Sequence, residues 1–144
     1  MKKRNLFFLL CTVAACTLML SCKKDKNKEE EDPDANLPAL TNVIGYWRGT
    51  YNPGNTDYAF LVKEEDHKII VYANSADTAN ADKAYGTWTF DPTTKKCTFY
   101  YIYGQDLSRS YSTTGTLIHR RLEGTWGPQL SPTGGGTYKV RFIQ

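Results

Sequence analysis

Disulfide chemistry is almost closed to this chain. Of its four cysteines, Cys11 and Cys16 lie in an apolar leader and Cys22 ends it, so only Cys97 falls in the part that reads as folded. With no internal disulfide possible, roughly 105 residues must fold by core burial alone, an ordinary size for one domain. Net basic charge is missing as well. The formal charge of +3 depends on Lys2, Lys3 and Arg4, and without them 15 basic residues face 15 acidic ones. A basic patch for nucleic acid therefore has no support. After Asn42 no segment keeps a 3.6-residue period for three turns, which excludes helical architectures. Histidine is scarce: His67 sits in an acidic turn and His119 at a strand end, neither with a Glu or His at ligand spacing on a helix. Gly134-Gly135-Gly136 has no helix after it and reads as a flexible loop, not a phosphate cradle. Asp77, Asn80 and Asp82 miss the spacing of an EF-hand loop. Cys97 alternates with Phe99 and Tyr101 and reads as core rather than as a nucleophile paired with His119. The expectation is a non-enzymatic protein with no cofactor, no metal and no catalytic residue.

What is present begins at the amino end. Lys2, Lys3 and Arg4 precede an apolar run from Leu6 to Leu20, which falls short of the ~18 residues that span a bilayer and ends beside the small Ser21. Met19-Leu20-Ser21-Cys22 resembles the lipobox of bacterial lipoproteins, with Met19 standing where Leu is common. Val13-Ala14-Ala15-Cys16 fits more loosely and would leave an apolar mature end, so Cys22 is preferred. The resemblance implies a signal peptide over residues 1–21 and an acylated, palmitate-bearing Cys22. It also implies a lipid anchor in the outer membrane, facing the periplasm or the cell surface. Residues 22–39 read as a flexible tether, because KKDKNKEEEDPDAN carries no aromatic or branched aliphatic side chain. The acidic Glu29-Glu30-Glu31-Asp32 is similar to the export signal of some Gram-negative surface lipoproteins.

Residues 40–144 show period-2 alternation broken by turn residues. Strands are expected over 43–51, 58–63, 68–73, 84–90, 97–103, 109–119, 122–126 and 138–142. Inward rows are Tyr58, Phe60 and Val62; Trp88 and Phe90; Cys97, Phe99, Tyr101 and Tyr103; and Tyr138, Val140 and Phe142. Residues 74–83 are the exception, where Asp77 is expected to cap a brief helical turn. Eight sequential strands with short connections predict an all-β, antiparallel, up-and-down barrel, closed so that no edge is exposed. The rival is an immunoglobulin-like sandwich, whose Cys…Trp…Cys framework is absent here.

Three tryptophans each follow a glycine by two residues: Gly45-Tyr46-Trp47, Gly86-Thr87-Trp88 and Gly124-Thr125-Trp126. The first resembles the opening motif of lipocalins and the wider calycin group. That likeness implies that Trp47 plugs one end of the barrel and that a cation near the last strand, Arg141 or Lys139, packs across it. Leu122-Glu123-Gly124-Thr125-Trp126 is similar to a strand of avidin-like barrels. Barrels of this size are either filled or hold one small ligand. The expected ligand is small and apolar or amphipathic, in a pocket lined by Tyr58, Trp88, Tyr101 and Tyr111 with hydroxyls from Ser110 and Ser112. The alternative is an interaction or inhibitor module that meets a protein or glycan through its outer strands, with Tyr100 and Ile102 facing outward.

Overall fold

Eight strands follow one another in the computed structural model, which describes residues 33–144. The expected leader, Cys22 and most of the tether lie outside the described residues. The strands are β1 (Gly45–Tyr51), β2 (Thr56–Val62), β3 (Lys68–Ala73), β4 (Asp82–Asp91), β5 (Lys96–Tyr103), β6 (Ser110–Ile118), β7 (Arg121–Pro128) and β8 (Gly136–Phe142). Each pairs antiparallel with the next, and β8 returns to β1, so the sheet closes as an up-and-down barrel. Short Asx turns set several of the reversals. Asn52 Oδ1 accepts the Asn55 amide, Asp91 Oδ1 the Thr93 amide and Asp106 Oδ1 the Ser108 amide, at 3.1, 2.8 and 2.9 Å. A side-chain acceptor two or three residues upstream holds such a turn without help from the rest of the fold.

Strand direction divides the barrel into two ends. Odd-numbered strands run toward one end, called the mouth, where the connections 52–55, 74–81, 104–109 and 129–135 cluster. Even-numbered strands run back to the other, which is plugged. Residues preceding β1 join the barrel at the plugged end: the Leu40 amide donates to the His119 carbonyl at 3.0 Å, and Arg120 Nη1 to the Pro38 carbonyl at 3.3 Å. The carboxyl end also lies there, with the Gln144 carbonyl accepting the Tyr46 amide at 2.7 Å.

The plug is Trp47, 0% exposed, whose indole N–H donates to the Val43 carbonyl at 2.8 Å. Phe142 meets it edge-on at 5.2 Å. The cation beside it is Arg120, with Cζ 4.9 Å from the Phe142 ring centre. Arg141 and Lys139 do not fill that role, since their positions on β8 alternate outward with respect to Val140 and both are exposed. Arg120 reaches the ring from the β6–β7 turn instead. Above the plug, Phe60, Phe99 and Tyr138 meet at 4.9 and 5.6 Å between ring centres and fill the barrel waist with Val71, Leu122 and Val140.

Three expectations change in detail. Strand β7 is longer than 122–126, because its ladder with β6 runs from Ile118↔Arg121 to Tyr111↔Pro128. Residues 74–81 form no helix: Asp77 caps a turn, accepting the Ala79 amide at 2.9 Å and the Asn80 side-chain amide at 2.6 Å. Two residues of the glycine triplet are packed while Gly134 stays open: Gly135 donates to the Trp126 carbonyl at 2.9 Å and a Cβ on it would collide with the Trp126 ring, and a Cβ on Gly136 would meet the Asn52 carbonyl.

Candidate functional site

Above the aromatic waist the barrel interior opens into a pocket of about 140 Å³ at the mouth. Its walls come from the last residues of odd strands and the first residues of even ones, which is what strand direction requires. Tyr51 ends β1, Tyr103 ends β5 and Trp126 lies near the end of β7, while Tyr58 and Tyr111 lie near the starts of β2 and β6. Tyr101 sits one inward step below Tyr103.

These rings form a closed circuit. Tyr51 meets Trp126 at 5.6 Å, Trp126 meets Tyr111 at 6.0 Å, and Tyr111 meets Tyr101 at 6.1 Å. Tyr101 and Tyr58 share a short hydrogen bond between their hydroxyls, and Tyr58 returns to Tyr51 at 5.2 Å. Most of these contacts are edge-to-face, at 62 to 89° between ring planes. Only Tyr101 and Tyr111 approach parallel stacking, at 27°. The Trp126 indole N–H donates to the Asn52 carbonyl at 3.0 Å, tying this wall to the β1–β2 turn.

The lip is polar. Tyr51 donates its hydroxyl to Asn74 Oδ1 at 2.8 Å, and Asn74 Nδ2 donates to Asp82 Oδ2 at 2.6 Å. Opposite in charge, Arg109 holds its Cζ 5.3 Å over the Tyr103 ring. Asp82 and Arg109 are the charged residues in the lining.

Of the residues expected to line a pocket, Tyr58, Tyr101 and Tyr111 do so together. Trp88 does not. It lies late on β4, so it sits toward the plugged end, with its indole N–H on the Lys63 carbonyl at 2.8 Å and His67 4.9 Å from its ring. Ser110 and Ser112 also lie elsewhere. Because Tyr111 faces inward, its two neighbours must face outward, and they are buried beneath loops rather than in the pocket. Ser110 Oγ donates to the Leu107 carbonyl at 2.7 Å and Ser112 Oγ to the Gln129 carbonyl at 2.6 Å. The lining residues not foreseen are Tyr51, Ala73, Asn74, Asp82, Tyr103, Arg109 and Trp126.

Burial shapes the acid–base behaviour of the site. It pushes the Tyr58, Tyr101 and Tyr103 hydroxyls above the usual 10.0, with neighbouring tyrosines adding to the rise at Tyr58 and Tyr103 and Asp82 adding at Tyr103. In the waist, burial raises Tyr138 likewise and pushes the Cys97 thiol from 9.0 to about 11. Each of these acids holds its proton more tightly folded than unfolded. The stability this reflects is complete below the unfolded pKa and is lost as pH rises toward the folded one. The melting temperature is therefore expected to stay level through neutral pH and to fall once pH passes 9.0 and then 10.0. Cys97 alone accounts for about 2 kcal/mol of that loss by the time pH reaches its folded pKa, and for about 3 kcal/mol once it is fully ionised. Thermal melts across the alkaline range check this, and Cys97→Ala should remove the earlier part of the decline.

Among the described residues, no group of His, Cys, Asp and Glu is placed to hold a metal ion, and no helix is long and apolar enough to cross a membrane. Outside the barrel, the register places Tyr46, Leu61, Ile70, Tyr85 and Ile102 in one row across five strands. Tyr85 is the most open of them, at 58% exposed. A closed eight-stranded antiparallel barrel is compatible with a lipocalin-like fold. No family model matches the chain, and neither does any curated protein or solved structure.

Proposed function

We propose that this chain is a lipid-anchored protein of the cell envelope, held at the outer membrane through Cys22, which binds a small apolar or amphipathic molecule and catalyses no reaction. The observation that carries the binding reading is the mouth pocket, a concave space walled by aromatic rings whose hydroxyls, with Asn74, Asp82 and Arg109, leave more polar than apolar surface open to it. The ring faces offer an amphipathic ligand apolar contact, and the convergent polar groups fix its orientation. Its size sets the scale of the ligand. A cavity of about 150 Å³ holds one benzene-sized group, so the 140 Å³ here suits one compact group and not an extended acyl chain. The anchoring reading rests on Leu20-Ser21-Cys22 and the charged tether after it. Two or more acyl chains would hold the protein firmly at a bilayer, since each buried CH₂ contributes about 0.8 kcal/mol.

Native mass spectrometry of the full-length, detergent-released protein tests both halves. A co-purifying small molecule that is lost in Tyr111→Leu supports pocket binding, and a ligand-free spectrum from freshly extracted protein counts against it. Labelled palmitate should enter the wild-type chain and be absent from Cys22→Ala; label persisting in that variant removes the anchor assignment.

A second reading is favoured by the outward row of Tyr46, Leu61, Ile70, Tyr85 and Ile102, which suits contact with a protein or glycan. Tyr85→Lys should then abolish that contact while leaving small-molecule binding at the mouth unchanged.

A further inference from the structure

We infer that the mouth pocket receives a methylated ammonium group, borne by a small molecule whose neighbouring anionic group meets Arg109. This inference rests on the pocket binding proposed above and names the ligand chemistry.

Aromatic rings carry negative charge on their faces, and a cation within about 6 Å of a ring centre is drawn to them. Five rings, from β1, β2, β5, β6 and β7, close a circuit around this pocket, with Tyr103 above them at the lip. Rings meeting near right angles box in a rounded space, the shape of a quaternary ammonium group. A sugar would ask instead for one open, flat platform. The chain's own guanidinium, Arg109 over Tyr103, shows that this wall already draws a cation.

The polar groups favour methylation. A primary ammonium carries three donors that need acceptors placed around it, and the one carboxylate among the lining residues, Asp82, is held at the lip by Asn74 rather than among the rings. Methyl groups need no acceptor and pack directly on rings. Charge is supplied by Asp82, whose carboxylate is held at the lip by Asn74, which also fixes the Tyr51 wall. With one carboxylate and one guanidinium in the lining, the pocket is matched to a zwitterion: ammonium toward the rings and Asp82, anion toward Arg109.

Isothermal titration calorimetry of the full chain with four probes tests this: phosphocholine, choline, the neutral dimethylbutanol in which carbon replaces the quaternary nitrogen of choline, and glucose. Choline should bind at least about tenfold more tightly than its neutral counterpart, as desolvated cation–π contacts allow, and phosphocholine at least as tightly as choline. Asp82→Asn should weaken choline severalfold without affecting the neutral probe, and Arg109→Gln should weaken phosphocholine but not choline. Both substituted residues are exposed, so the fold is retained and a melt confirms it. A neutral probe that binds as tightly as choline, or glucose binding more tightly than phosphocholine, overturns the ammonium assignment and leaves pocket binding standing. Silence from all four probes, together with a ligand-free native mass spectrum, removes both. Phosphatidylcholine vesicles separate the two sources of the group. Co-sedimentation abolished by free phosphocholine assigns a lipid headgroup, while binding of phosphocholine without co-sedimentation assigns a free molecule.

Discussion

Trp47→Ala is expected to destabilise the protein by about 3–5 kcal/mol, the range for removing a large aromatic side chain from a core. Against a total stability of ~5–15 kcal/mol for a typical domain, that is enough to unfold a marginal one. Three losses coincide at this position. The ring is fully buried, so its removal leaves a void at the end of the barrel. Phe142 loses the ring it meets edge-on, and with it the seat from which it receives Arg120. The Val43 carbonyl loses its donor and is left to find water. Trp47→Phe separates these effects: it keeps most of the packing and removes the hydrogen bond, so its loss should be nearer 1–2 kcal/mol. Denaturant melts of both variants check the order. Equal losses would mean that the hydrogen bond, and not the volume, dominates the plug.

Gly86→Ala is the second change expected to have a large effect, about 3 kcal/mol or more, at the upper end of what overpacking does. A Cβ at this position would sit on the Tyr100 carbonyl oxygen and 2.6 Å from the Tyr101 Cα, both backbone atoms of the paired strand. No rotamer change relieves a clash with backbone; β4 and β5 must separate. Gly124 faces the same obstacle on β6, with the Thr114 carbonyl oxygen and the Gly115 Cα at 2.6 Å. Gly104→Ala is the contrast within the same molecule, since nothing lies within 4 Å of a Cβ there and only its φ of 66° opposes the change. Hydrogen exchange should show the Gly86→Ala loss spreading from the β4–β5 ladder, whereas Gly104→Ala should leave that ladder protected.

These glycines show where alternation alone stops informing. Gly-x-Trp suggests room made for the ring, yet at Gly86 and Gly124 the room is taken by the neighbouring strand, whose approach depends on barrel coiling. The inward rows at 58/60/62, 97/99/101/103 and 138/140/142 were legible because burial on one face imposes a period of two. The same period assigns Ser110 and Ser112 away from Tyr111, so placing all three in one pocket set aside a rule the chain itself displays. Trp88 needed one further step. Its face is inward as expected, but the end of the barrel it occupies follows from its late position on an even-numbered strand. Tyr51, Tyr103 and Trp126 answer to the same rule and were within its reach. Asn74 and Arg109 were not, because their arrival at the lip depends on loop conformation, whereas Asp82 shares the inward period of Ala84 and Trp88 and was missed because β4 begins two residues earlier than the expected 84–90. Arg120 was equally hidden, since a turn residue carries no period.

The arrangement of the two ends bears on how a ligand would be acquired. Residues 38–40 join the barrel beside His119 and Arg120, at the plugged end, and the aromatic circuit opens at the other. The chain therefore enters the barrel at its solid end, and the open end lies a strand length away, roughly 23 Å for seven residues. A ligand reaches the pocket past the connections 52–55, 74–81, 104–109 and 129–135, and never through the end at which the chain joins the barrel.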